Sequence, residues 1–158
     1  MGFQKTMNRD LPVGVEGDFA STNSYHSVLA GEGQLKAGAV GVVIGLFAWA
    51  NMETGLVSNA KVVGGVVGFV RRDNSGLINQ YLAESGMTIP SGFGVTLYDG
   101  GDFWARFPAG ATVGHKVFAK DADGTLAAAA GDTLADHTFT GFVVASKAAA
   151  GELAKITK

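Results

Sequence analysis

Residues 37–50 read AGAVGVVIGLFAWA and carry no charged or polar side chain. A membrane-spanning helix needs about 20 such residues, and this run has only fourteen (37 to 50). Gly38, Gly41 and Gly45 interrupt it, and valine and isoleucine crowd it. Both features disfavour helix and favour strand. The pattern predicts a strand over Val42–Trp49 that can bury both faces. Alternation puts Val42, Ile44, Leu46 and Ala48 on one face, and Val43, Gly45, Phe47 and Trp49 on the other. The Phe47/Trp49 face is expected to fill the core. The smaller face is expected against a second sheet element or a neighbouring subunit.

Other segments alternate with period two between turn signals. Asn51–Gly55 reads as a hairpin loop, with the return strand starting at Leu56-Val57-Ser58. Val66–Val70 reads as a strand, although Val62-Val63-Gly64-Gly65 leaves the register near 62–67 open. Val95–Tyr98, a tight turn at Asp99-Gly100 and a return over Asp102–Phe107 read as a hairpin. In that return Phe103, Ala105 and Phe107 share one face, and Trp104 and Arg106 the other. Lys116–Lys120, a turn at Asp123-Gly124 and Thr125-Leu126 form a second hairpin. Thr138–Ser146 is a long strand, with Phe139, Val143 and Ala145 on one side and Phe142 and Val144 on the other. One short helix is expected near 75–84, where Asp73, Asn74 and Ser75 offer N-caps and Leu77, Ile78, Tyr81 and Leu82 follow. The last segment, SKAAAGELAKITK, suits either helix or strand. Residues 1–14 show no period and read as an extended N-terminal arm, leaving 15–158 as a single β-domain. The fold class is therefore all-β, a jelly-roll-like sandwich or barrel.

Composition sharpens this. A chain of 158 residues can bury a core without staples, and it has no cysteine, hence no disulfide or thiolate metal site. Charged residues are 16%, below the roughly 25% of an average domain, so its own surface repels neighbours little. That suits a subunit working inside an assembly. A net charge of −2 gives no sign of a nucleic-acid partner. No membrane partner is expected either, and the N-terminal MGFQKTMNRD lacks the apolar stretch of a signal peptide.

Motifs for catalysis do not accumulate. There is no nucleophile elbow, phosphate loop or zinc-protease helix signature. Gly31-Glu32-Gly33 and Gly92-Phe93-Gly94 read as turns. His26, His115 and His137 lack ligand spacing. Asp121-x-Asp123-Gly124 opens like a calcium loop, but the twelfth position is Asp132 and residues 126–131, LAAAAG, supply no side-chain oxygen. No enzyme, cofactor or metal is expected. Trp49 and Trp104 each lie on a strand with a second apolar face. A small domain cannot bury both faces of many strands, which argues for a partner.

Ten segments recur in an order that resembles a known family. They are VEGDFAS (15–21), VLAGEG (28–33), GLFAWA (45–50), LVSN (56–59), GFVRR (68–72), LINQYLAESGMTIPSG (77–92), GDFWARF (101–107), DADGTLA (121–127), TGFVVAS (140–146) and GELAKI (151–156). Together they are similar to the capsid cement (decoration) proteins of tailed bacteriophages. The resemblance implies a jelly-roll-like protein on the outer surface of the virion. It implies the major capsid protein as partner, with neighbouring copies of itself in dimers or trimers. Candidate contacts with the shell or a neighbour are Phe3, Lys5, Phe19, Arg71, Arg72 and Trp104. The competing reading is a carbohydrate-binding jelly-roll module using Trp49, Tyr98 or Trp104 as stacking platforms.

Overall fold

A computed structural model describes residues 14–73 and 86–158. Among these residues the chain forms thirteen strands and no helix. The strands are β1 His26–Ser27, β2 Lys36–Ala37, β3 Val42–Val43, β4 Phe47–Ala50, β5 Leu56–Ser58, β6 Val66–Val70 and β7 Thr88–Ile89. Then come β8 Leu97–Gly100, β9 Phe103–Arg106, β10 Lys116–Lys120, β11 Leu126–Ala129, β12 His137–Val144 and β13 Leu153–Thr157. A six-stranded sheet runs β1-β8-β6-β4-β5-β2, a five-stranded sheet β11-β10-β12-β13-β9, and β3 pairs with β7 alone. Pairing is antiparallel except between β2 and β5.

The two large sheets stack into a jelly-roll-like sandwich, because alternation gives each an apolar inner face. Phe47, Trp49 and Phe69 from the six-stranded sheet meet Phe103, Ala105, Val117, Ala119, Phe142, Val144 and Ile156 from the five-stranded sheet. A second cluster lies on the other face of the six-stranded sheet. There Ala48, Ala50, Val57, Val70 and Leu97 are covered by Val42, Ile44 and Ile89. The central strand β4 is thus buried on both faces, and Phe47, Ala48, Trp49 and Ala50 are at most 2% exposed.

The opening apolar run therefore works largely as its pattern predicts, with one correction. It is not one strand. Gly45 takes a left-handed φ of 80°, a conformation a β-branched residue would resist. The chain turns there, and β3 leaves the six-stranded sheet to pair with β7, Val42 facing Ile89. Ile44 N–H donates to the Met87 carbonyl and Gly45 N–H to that of Val70. The kink also moves Leu46 off the small-residue face, to pack against the main core.

Asp99-Gly100 is a second correction. These residues are not a hairpin turn. They end β8, where Gly100 pairs with His26, and the chain then crosses to the opposite sheet to begin β9. The expected helix near 75–84 lies outside the described residues, as does all of the arm except Gly14. The C-terminal segment is strand β13, pairing with β12 and β9. Register is regular from Ala50 opposite Val66 to Phe47 opposite Phe69, because Val62–Gly65 closes as a separate turn, Gly65 N–H donating to the Val62 carbonyl. The β4–β5 and β10–β11 hairpins form where the turn signals place them. Asn59 ties the outer layer to the inner one. Its side chain accepts from Val43 N–H and donates to the carbonyls of Val43 and Phe47.

Candidate interaction surface

Four of the six candidate contact residues lie in the described structure, and one strap of chain gathers them. Phe3 and Lys5 lie outside the described residues. The strap, residues 14–20, runs antiparallel along the outer edge of β9. Trp104 N–H donates to the Asp18 carbonyl, Gly17 N–H to that of Trp104, and Ala20 N–H to that of Asp102. Arg72 N–H donates to the Gly17 carbonyl. Gly17 thus bonds one sheet through its N–H and the chain leaving β6, in the other sheet, through its C=O. A Cβ on Gly17 would press on the Ile44 side chain, so the approach needs glycine.

Around this strap the side chains interlock. The Arg71 guanidinium sits 4.5 Å from the centre of the Phe19 ring, a cation–π contact. Phe19 stacks on Phe103 at 5.4 Å and lies against Tyr25 and Tyr98. Arg72 reaches the Met87 sulfur. Arg106 pairs with Glu16 at 2.8 Å. Trp104 is flanked by Gly14, and the Lys155 ammonium lies 5.1 Å from its ring centre. Phe19, Arg71, Arg72 and Trp104 are all half-buried. They form a seam within the chain and leave only their outer sides free.

The three rings of the carbohydrate reading are all engaged. Trp49 is buried in the main core, Trp104 is covered by the strap, and Tyr98 sits in the aromatic group with Phe19, Tyr25 and Phe103. Among the described residues no three His, Asp or Glu side chains gather as a metal set. Asp121 and Asp123 are structural. Asp121 accepts from Lys61 and Thr138, and Asp123 accepts from Thr125 N–H.

Asp102 fixes the far end of the strap. It accepts from Ser21 Oγ at 2.5 Å and Asn23 Nδ2 at 2.7 Å. Burial alone would raise its pKa. Hydrogen bonds from Ser21, Thr157 and Asn23, with the charge of Lys155, outweigh burial and hold it below the usual carboxylate value. A carboxyl depressed in the folded state stabilises the fold above its unfolded pKa of about 3.9 and loses that contribution as pH falls through the folded value. Asp102→Asn is therefore expected to be less stable than the parent at neutral pH. The gap should narrow as pH falls below about 4. Thermal melts across pH 2–7 check this (the range follows from the same linkage), and a gap constant with pH would refute it.

Side chains that the sequence did not single out dominate the exposed apolar surface. Leu29, Val40 and Val63 are 87%, 88% and 99% exposed. Val40 rims a groove of about 400 Å³ that Val43, Leu46, Ala60 and Ala122 help to line. The signal was present in AGAVG and VVGG, where a valine stands in a glycine turn. Glycine flanks hold such a valine outward, whereas hydropathy alone assigns it to the core.

The described residues thus form a two-sheet sandwich that presents bare valines at its turns, the kind of surface a partner can cover. The fold is shared with a chain of the capsid of Myoviridae phage XM1, at a TM-score of 0.59 and 12% identity over 99% of this chain and 97% of that one. At that identity the likeness establishes the fold alone. No curated protein sequence matches. A family model, XM1 gp53 minor capsid protein, matches residues 3–158. The chain belongs to the XM1 gp53 minor capsid protein family, and is accordingly a structural protein of a bacteriophage capsid, in the virion and associated with its shell.

Proposed function

We propose that this chain is a cement subunit. It sits on the outer surface of the head, bridges major capsid proteins across capsomer boundaries, and helps the shell to resist internal DNA pressure. Neighbouring copies act together as dimers or trimers. The observation that carries the reading is the apolar groove rimmed by Val40, together with the bare Val63 on the turn between β5 and β6. Nearly fully exposed valines on turns add nothing to a lone chain, whereas an apolar patch with a groove is what a partner surface presents. The burial of Trp49 and the packing of Trp104 against the strap and Lys155 support the same choice over glycan stacking.

Each copy gains modestly, because association entropy and side-chain ordering offset most of the buried-area term. Repetition around the shell then supplies avidity. The test is rebinding to heads stripped of this protein. Val40→Asp should leave the melting temperature unchanged and weaken rebinding by about 30-fold, the equivalent of roughly 2 kcal/mol for a charge placed in a desolvated contact. Undiminished rebinding would remove the groove from the contact. Equal rupture of decorated and undecorated heads on heating would remove the stabilising role.

A further inference from the structure

We propose that the outer edge of β11 pairs, antiparallel, with the same strand of a second copy, so that two five-stranded sheets become one. The inference starts from the backbone. Lys116 faces Ala129, Phe118 faces Ala127, and Ala119 faces Leu126 across β10–β11. Lys120 N–H donates to the Thr125 carbonyl, which makes Lys120–Thr125 a hydrogen-bonded pair. Pairs alternate along an antiparallel ladder. Phe118–Ala127 and Lys116–Ala129 are therefore bonded, and the N–H and C=O of Leu126, Ala128 and Ala130 point away from β10. Among the described residues no hydrogen bond reaches those outward groups.

Two other sheet edges, those of β9 and β2, are closed. The strap covers β9. The 92–95 segment covers β2, with Ala37 N–H donating to Phe93 and Val95 N–H to Leu35. Exposed edges are ordinarily blunted by charge, proline or a bulge. Residues 126–130, Leu-Ala-Ala-Ala-Ala, contain none of these.

A second copy fits this edge for reasons of register and charge. Centring the pair on Ala128 places Leu126 opposite Ala130 and Thr125 opposite Gly131, so every outward group meets an outward group. Methyl side chains let the backbones approach. No like charges stand opposite each other: Gly124 meets Asp132, and Asp123 meets Thr133. Each flanking acid already has its own lysine, Asp132 with Lys116 and Asp123 with Lys120. The joint would supply about six backbone hydrogen bonds. Its area is well below the ~1,200 Å² of a stable interface, so dilute protein stays monomeric and pairing appears in concentrated solution.

The chain has no cysteine, which makes the test clean. Ala128→Cys places two thiols across the symmetry axis at a bonded pair, where Cα atoms lie about 5.5 Å apart, within disulfide range. Oxidation of concentrated Ala128→Cys should give a covalent dimer on a non-reducing gel. Ala119→Cys, buried on β10, should stay monomeric. Ala128→Pro removes only an outward N–H, which an edge strand tolerates. The parent should self-associate by sedimentation at high concentration, and Ala128→Pro should keep the parent fold by circular dichroism and lose that association. If folded Ala128→Cys remains monomeric, or folded Ala128→Pro still associates, the proposal is overturned. If Ala128→Pro loses head binding while Ala128→Cys does not cross-link, the edge takes a shell strand and the second-copy assignment falls. The purified-protein readouts stand apart from the capsid reading, so either can fail alone.

Discussion

Gly124→Ala is expected to lower the melting temperature by about 10 °C, from a loss of roughly 3–4 kcal/mol at some 2–4 °C per kcal/mol for a chain of this size. Two costs combine. Gly124 has a φ of 73°, and alanine in that region costs about 1 kcal/mol. The larger cost is contact. A Cβ at this position would overlap the carbonyl oxygen of Phe47, which is backbone and cannot swing aside. Phe47 N–H donates to the Gly124 carbonyl at 3.0 Å. The β10–β11 turn is thus bonded to the first residue of the most buried strand in the other sheet. Pushing the two apart opens that bond and the adjoining bond from Asn59 to the Phe47 carbonyl. Gly64→Ala is the control. Gly64 has a φ of 72°, but nothing lies within 4 Å of an added Cβ. It should cost about 1 kcal/mol. Equal losses at the two positions would show that the turn conformation matters and the seam between the sheets does not.

Phe103→Ala should cost about 3–5 kcal/mol, in the range for emptying a buried aromatic site. Phe103 is fully buried, and its ring lies 4.9 Å from Phe69, 5.4 Å from Phe19 and from Tyr98, and 6.1 Å from Phe142. It touches both sheets and the strap, so no single element can collapse into the space it leaves. Phe103→Leu, which keeps most of the volume, should cost about 1 kcal/mol. Denaturant titration measures both. A Phe103→Ala loss under 2 kcal/mol would mean that the strap relaxes to fill the cavity.

Local chemistry made much of this fold legible. Val66–Val70 is a short apolar run between the Gly64-Gly65 turn and the charged Arg71-Arg72, and it is a strand with those limits. Asp123-Gly124 is a turn because both flanks are apolar and the hairpin closes on itself. Asp99-Gly100 carries the same dipeptide and is not a turn. Its strand finds a partner in His26–Ser27, more than 70 positions earlier, and no window of sequence holds that pairing. Gly45 likewise reads as one small residue in a strand until Met87 and Val70 claim the amides on either side of the break. Arg71, Arg72 and Trp104 are legible in the sequence only as candidate contacts with a shell or a neighbouring copy. Their partners, Phe19, Gly17 and Gly14, come from the far end of the chain, so the seam they form could not be read in advance.

That seam has a mechanical consequence. Tension entering the chain at Gly14 meets its first backbone bonds to the sheets at Gly17, which is held by Trp104 in one sheet and by Arg72 at the end of a strand in the other. A pull that would unzip β9 from an edge is thereby divided between both layers, with the Arg106–Glu16 pair beside it as a second tether. The sandwich takes the force across its thickness, and the strap acts as a harness.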